Sequence, residues 1–294
     1  MLEELKTFIA VVEYENFTKA GEKINLSQPS VSVHIKHLEE YFNTTLIKRS
    51  IKQKNIFITE QGKLLYRRAK DIVKILDNTK EELKNYSESI KGHLTIGASF
   101  TIGEYFLPDF LGKFSKEFKD IEIEMLIENT SSVCNKVKNL KIDVGLIEGV
   151  ASSFEFNQDY FLEDELVLVV PYNDPLTKEE FSIEKLQNHY WISREKGSGT
   201  REYLNMFLTC NEIIPLGIMV LGSNYAVKEA VKNNLGITII SNFVVEEAAK
   251  NKEVSIIKLD DNYKRHFSYI LPKDLVLSKV TNAFIKSLSM YKRK

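Results

Sequence analysis

The sequence predicts a three-part chain: an N-terminal winged helix-turn-helix (residues 1–59), a long linker helix (60–91) and a C-terminal two-lobed α/β region (92–294). Three observations predict it. Apolar residues recur at helical spacing on either side of a Ser-Gln-Pro helix start in the first 41 residues. A proline-free seam with apolar residues four and three apart follows from Glu60 to about Lys91. Beyond it, β-prone and helix-prone segments alternate to the end, the pattern of a parallel sheet with covering helices. A length of 294 residues suits two or three domains.

Composition is that of a soluble globular protein, 43% apolar and 28% charged. Cys134 and Cys210 are the only cysteines, far apart and outside any CxxC. That excludes a disulfide scaffold or a Cys-rich zinc site and suits a reducing cytosol. The opening MLEELKTFIA has acids among its apolar residues, so a secretory signal is not expected. No stretch approaches the roughly 20 apolar residues that span a bilayer. The expected location is the cytoplasm, with no membrane partner.

The formal charge of −1 hides an asymmetry. Met1–Gly92 carries 16 basic against 13 acidic residues, net +3, and the remainder 24 against 28, net −4. Within Phe17–Lys70 the ratio is 11 to 4, a domain-sized basic footprint for a polyanion.

Leu2, Leu5, Phe8, Ile9 and Val12 share one face of a first helix. Thr18–Ile24 reads as a second, with Ala20 and Ile24 inward. Asn25-Leu26-Ser27 interrupts: Asn tolerates the left-handed conformation that ends a helix, Ser27 is a good N-cap, and Pro29 sits in the first turn where its missing N–H is harmless. The third helix then runs from Gln28 to about Tyr41 with Val31, Ile35 and Leu38 inward. Its other face holds Pro29, Ser30, Val33, Lys36 and His37, flanked by Gln28 and Ser32. This face is small enough to enter a major groove, where Gln28 suits an adenine edge, Val33 a thymine methyl, and Ser30 or Ser32 a base or phosphate. Lys48–Asn55 followed by Ile56–Thr59 reads as a basic wing whose Arg49, Lys52 and Lys54 meet phosphates. Thr18, at the start of helix 2, joins the DNA-facing set.

Phe17-Thr18-Lys19-Ala20, Leu26-Ser27-Gln28-Pro29-Ser30-Val31-Ser32, Ile35, Leu38-Glu39, Leu46, Arg49 and Ile58-Thr59-Glu60-Gln61-Gly62 stand in the order that resembles the LysR-type transcriptional regulators. The resemblance covers the first 65 residues densely. Gly21 departs from the preferred alanine, and glycine inside a helix weakens it by up to about 1 kcal/mol. Asn43 replaces a glycine, Ile47 a phenylalanine, and Val33 a position often basic or polar, so its base preference is not carried over.

In the linker, Leu65, Ala69, Ile72, Leu76, Thr79, Leu83, Tyr86 and Ile90 form the seam between charged residues. A stripe so narrow needs a partner, so Leu65, Ala69, Ile72, Leu76 and Leu83 are expected to dimerise the chain and present two recognition helices to two-fold DNA. The resemblance implies the same linker helix and a tetramer.

After residue 92 the expected elements are strands at His93–Ser99, Ile121–Ile127 and Ile142–Ile147 and helices at Thr101–Phe118, broken near Pro108, and Ser131–Leu140. Glu165–Pro171 crosses to a second lobe of alternating segments, and Phe267–Leu271 returns before a closing helix at Lys279–Lys292. The first lobe then takes about 92–163 and 267–294, the second about 164–266. Two such lobes resemble type 2 periplasmic binding proteins. Ligands of such sheets sit at strand C-terminal ends and helix N-termini. Those positions hold Ser99 and Thr101, Thr130 and Ser131, and Ser198 and Thr200 of Gly197-Ser198-Gly199-Thr200-Arg201. Each is either an ordinary helix cap or part of an anion cradle. Gly97–Pro108 and Glu195–Arg201 resemble a subgroup of the family that regulates sulfite reduction, cysteine synthesis and carbon fixation. That implies a small anion effector: a sulfur oxyanion, phosphate or a small anionic metabolite.

No metal site, cofactor or catalysis is expected. His34, His37, His93, His189 and His266 form no HExxH, and no GxSxG, P-loop or strand-linked GxGxxG is present. The expected partners are double-stranded DNA, a small-molecule effector, a second copy of the chain and RNA polymerase. An alternative is a cytosolic small-molecule binding protein whose N-terminal helices serve only dimerisation, which the basic wing argues against.

Overall fold

The structure, a computed structural model, describes residues 1–49, 56–84, 90–149, 151, 155–178, 182–259, 263–273 and 275–291. The chain divides into two compact units, Met1–Tyr86 and Ser87–Lys294.

The first unit opens with α1 (Leu2–Tyr14), α2 (Phe17–Ile24) and α3 (Gln28–Tyr41). Asn16 caps α2 by accepting the N–H groups of Thr18 and Lys19, and Asn25 ends it in the left-handed region at φ 56°. Ser27 caps α3, accepting from the Ser30 N–H, with Pro29 in the first turn. The core is built from Leu5, Phe8, Val11, Ala20, Val31, Ile35, Leu38 and Leu46. Val11, rather than Ile9 or Val12, completes the inward face of α1, because a stripe from Leu5 through Phe8 continues three residues on.

The wing is the antiparallel pair β1 (Ile47–Arg49) and β2 (Ile56–Ile58), with Lys48 opposite Phe57. Glu39 ties it to α3, its Oε1 accepting the N–H groups of Leu46 at 2.7 Å and Ile47 at 3.1 Å. The wing tip with Lys52 and Lys54, and the Arg49 side chain, lie outside the described residues.

Helix α4 (Glu60–Lys84) follows. Two seam expectations are corrected here. Ala69 is fully buried in the core of its own N-terminal unit, with Leu65 half-buried against it, so the first turns of α4 pack on α1. Ile90 is not helical; it packs on the core of the second unit just before the first strand there. Ile72 and Leu83 remain exposed, at 47% and 69%.

In the second unit, β3 (Gly92–Ser99) runs parallel between β4 (Ile121–Glu128) and β5 (Val144–Glu148). A π-helical turn over Ile102–Phe106 leads into α5 (Leu107–Glu117), which begins at Leu107 because Pro108 fits only a first turn. Helix α6 (Thr130–Lys138) covers the sheet. Strand β6 (Phe156–Pro171) is longer than the expected Glu165–Pro171. Its first part pairs antiparallel with β11 (Lys264–Pro272), and its second part with β9 (Thr238–Ser241) and β10 (Val254–Lys258). One strand thus serves both lobes. The second lobe adds the parallel pair β7 (Tyr190–Arg194) and β8 (Gly217–Leu221), with α7 (Gly199–Cys210), α8 (Asn224–Lys232) and α9 (Asn242–Lys250). Helix α10 (Lys279–Met290) closes the first lobe, packing Val280, Phe284 and Leu288 under β3. Strand β10 was not foreseen from the sequence.

No helix among the described residues is long and apolar enough to cross a membrane.

Candidate functional site

The outer face of α3 is open and polar. Gln28, Pro29, Val33 and Lys36 are exposed, Ser30 and Ser32 half-exposed, and Thr18 exposed at the start of α2. Two contacts order this face. Gln28 Nε2 donates to Ser32 Oγ at 2.9 Å, and the Ser27 and Ser30 hydroxyls lie 2.8 Å apart. Lys36 pairs with Glu40 across one helical turn. On the buried side, Thr7 donates to the Glu3 carbonyl, so its Oγ1 must accept from His34 Nδ1 at 2.8 Å. That bond locks α3 to α1.

The second unit brings together residues from β3, α6, the 197–201 turn and the crossing strands. Ser99, Thr101, Ser198 and Thr200 are buried, Thr130 is half-buried, and Ser131 is exposed at the edge. The Ser131 N–H donates to the Gly197 carbonyl at 3.1 Å, joining the two lobes. Gly197, at φ 91°, holds a backbone conformation that disfavours a side chain, and a Cβ there would also crowd Ser131 at 3.0 Å from its Oγ.

These hydroxyls are not the caps of their helices. Asn129 caps α6 instead, while neither Thr101 nor Ser198 makes a side-chain cap bond. The Thr130 hydroxyl donates to Glu148 Oε2 at 3.2 Å, so it is occupied and withdraws from the expected cradle as a donor. Ser99 Oγ is buried and has no partner among the described residues. Among the described residues the N–H groups of Gly199, Thr200 and Arg201, in the first turn of α7, also lack an acceptor.

Behind the hydroxyls lies a charged layer that the sequence reading missed. Arg265, fully buried, places Nε 2.6 Å from Asp164 Oδ2. It also donates to Thr200 Oγ1 at 3.2 Å and to Thr101 Oγ1 at 3.5 Å, and lies 3.9 Å from Glu148. Ser241 donates to the other Asp164 oxygen at 2.6 Å. Burial raises the Asp164 carboxyl, which favours its neutral form. Burial also opposes the Arg265 charge, but the carboxylates of Asp164 and Glu148 outweigh it and hold the guanidinium above its usual range. The geometry is that of a charged pair: Arg265 Nε donates to Oδ2 and Ser241 to Oδ1, so both Asp164 oxygens accept and neither is left to carry a proton. A signal for Arg265 exists: it stands two residues before Phe267, hence on the same buried face of a strand.

On the second lobe, Arg194 stacks on Phe100 with 4.4 Å between guanidinium carbon and ring centroid, donates to Asn224 Oδ1, and pairs with Glu195 at 2.8 Å. Asn224 Nδ2 in turn donates to Thr101 Oγ1 at 3.0 Å. Glu195 is partly buried, which works to raise its carboxyl, but the bonds from Arg194, the backbone and Asn129 win and hold it below its usual range. Arg201 donates to the Arg194 carbonyl. No group of three or more His, Cys, Asp or Glu poised to hold a metal is present among the described residues.

Comparison with known proteins follows the same division. Residues 2–63 match the family model described as bacterial regulatory helix-turn-helix protein, lysR family, and residues 87–291 match the LysR substrate binding domain. The chain is 43% identical over 286 residues to the HTH-type transcriptional regulator CysL of Bacillus subtilis, covering 97% of this chain and 95% of that one. The regulatory domain of Synechocystis PCC6803 CcmR, solved in complex with 2-PG, matches with a TM-score of 0.63 and 26% identity, covering 68% of this chain and 96% of that one. Full-length CbnR complexed with its target DNA matches in fold with a TM-score of 0.64 and 17% identity, covering 98% of both chains.

Proposed function

The chain belongs to the LysR family and is a transcriptional regulator with an effector-binding domain, and from that premise we propose that its effector is a small anion held between the two C-terminal lobes. The observation that carries this reading is Ser99 Oγ, buried and without a hydrogen-bond partner among the described residues, two residues before Thr101, whose hydroxyl makes no helix-cap bond. A buried hydroxyl left unmatched is unfavourable until an ordered water or a ligand completes it. Ser99, Thr101, Ser198 and Thr200 with the first turn of α7 hold the anion, Ser131 lines the edge, and Thr130 acts through Glu148. The ligand class is a sulfur oxyanion, phosphate or small anionic metabolite; the 2-PG in the CcmR domain supports it. Because the anion touches both lobes, it biases DNA binding by its differential affinity for their arrangements.

In the N-terminal unit, Gln28, Ser30, Ser32 and Val33 read bases, and Thr18, Pro29, Lys36, Arg49, Lys52 and Lys54 position the module on the backbone of double-stranded DNA. The domain division at 59/60 and 91/92 belongs to this reading. So do a homodimer through Ile72, Leu76 and Leu83, a tetramer of such dimers, contact with RNA polymerase, and a cytoplasmic location.

Calorimetry on the full chain with sulfite, sulfate, phosphate and 2-PG tests the effector. Binding of at least one, weakened by Thr200→Leu, is the expected result. Binding of uncharged ligands only, or binding untouched by that change, removes the anion cradle.

A further inference from the structure

Two buried arginines fix the direction of hydrogen bonds where the two lobes meet. A guanidinium has donors and no acceptor. Arg194 must therefore meet an oxygen of Asn224, which settles the orientation of that amide and leaves its Nδ2 as a donor toward Thr101. Turned over, the amide would set nitrogen against nitrogen. Arg265, likewise, can only donate to Thr101 and Thr200. A threonine hydroxyl has two acceptor positions and one proton. Thr101 accepts from Asn224 at 3.0 Å, and Arg265 Nη2 stands 3.5 Å away, at the outer limit of a hydrogen bond. Thr200 accepts from Arg265 at 3.2 Å. Neither hydroxyl donates to any described protein atom, and Ser99 Oγ, two residues before Thr101, has no hydrogen bond to one either.

We propose that Arg194 and Arg265 are positioning residues that lock this polarity, with Asn224 as the relay. The protons of Thr101 and Thr200 are left for the ligand, which the cleft takes through acceptor atoms. This inference rests on the effector reading above and deepens it. The charges behind the hydroxyls are already paired, Arg265 with Asp164 and Arg194 with Glu195. Selection for an anion then lies in the number of oriented donors rather than in an unbalanced positive charge. The favoured ligand carries several acceptor oxygens on one centre.

Asn224→Asp tests the relay. It is isosteric and keeps the partner of Arg194, but an aspartate only accepts, so the Thr101 proton turns toward it and is lost to the ligand. Using whichever of sulfite, sulfate, phosphate and 2-PG binds the full-length wild type, Thr101→Val alone and Asn224→Asp alone are each expected to weaken binding about tenfold or more. The double variant is expected to be no more than about twofold weaker than Asn224→Asp alone, because both changes remove the same donor. Losses that multiply would overturn the proposal, since an added negative charge acting by repulsion is independent of the Thr101 hydroxyl. Thr101→Ser keeps the donor and should restore most of the affinity. A neutron map of deuterium-exchanged wild-type crystals decides the polarity without any ligand. Deuterons of Thr101 and Thr200 directed away from Asn224 and Arg265 support it; a Thr101 deuteron on Asn224 overturns it. Failure of all four anions to bind would remove the anion reading itself, while the neutron map would still rule on the polarity.

Discussion

Arg265 and Asp164 stand directly opposite each other on β11 and β6, 2.6 Å apart, and neither reaches solvent. They pair on the two strands that join the lobes, so the ion pair sits where any change in lobe arrangement must pass.

Arg265→Met would strand the Asp164 carboxylate in the interior, a change that typically costs about 3–5 kcal/mol. The double variant Arg265→Met with Asp164→Leu should recover much of that loss, because an apolar pair of similar volume has no charge to desolvate. Urea unfolding followed by the single tryptophan, Trp191, buried in the second lobe, measures both. A double variant no more stable than Arg265→Met would show that the stranded Asp164 carboxylate is not what the single change costs.

The two cysteines should separate by reactivity. Burial pushes the Cys134 thiol up to about 11, while Cys210 is exposed. The raised value favours the neutral thiol in the folded state. Its stabilising contribution is therefore complete below the ordinary thiol range and is lost as pH rises through about 11. At pH 8, alkylation followed by mass spectrometry should modify Cys210 and leave Cys134 almost untouched, because the thiolate is the nucleophile. Rapid labelling of Cys134 in the folded chain would contradict its burial.

What the sequence shows and hides follows from the range of the interactions. The helix-turn-helix was legible because Ser27, Pro29 and Asn25 act within a few residues of themselves, through caps and a left-handed turn. Ser99, Thr101 and Thr200 were legible as strand-end and helix-start residues. Arg265 was not, because its partners Asp164, Thr101 and Thr200 lie far away in the chain. Ala69 fits the heptad seam as well as Leu76 does, and only the packing of α4 on α1 separates them.

Gly21 shows the same limit with a change of sign. Helix propensity alone makes Gly21→Ala stabilising by up to about 1 kcal/mol. In the structure a Cβ on Gly21 would lie 2.5 Å from the Leu26 carbonyl oxygen and 3.3 Å from Val31. Backbone is in the way, so the turn before α3 must shift. The variant is expected to lose about 1–3 kcal/mol and to bind DNA less tightly. Thermal unfolding with a DNA titration checks it, and a gain in stability would show that the turn yields freely.

The seam of α4 divides by burial. Ala69→Asp places a charge in the core of the N-terminal unit and should unfold that unit in the single chain. Leu83→Asp, at a position 69% exposed, should leave the fold of one chain intact and separate the dimer. Sedimentation and circular dichroism distinguish the two. A Leu83→Asp protein that stays associated places the dimer contact elsewhere.

Ser99→Ala separates folding from effector binding. In most buried sites, removing a hydroxyl breaks a bond and lowers stability. Here Ser99 Oγ has no partner among the described residues, so its removal relieves an unmatched polar group and should leave stability unchanged or slightly higher. The Thr200 hydroxyl, by contrast, accepts from Arg265 at 3.2 Å, and Thr200→Val should cost about 1–3 kcal/mol by leaving that donor unmatched. Both variants remove a donor from the anion, and a hydrogen bond to a charged group contributes about 1.5–3 kcal/mol, so each should weaken binding by at least about tenfold. The combination of full stability with lost effector response is the signature of Ser99. Thermal unfolding without ligand, beside calorimetry with the bound anion, reads the two quantities on the same samples. If Ser99→Ala destabilises the protein and leaves binding unchanged, the hydroxyl has a structural bond and does not face the ligand.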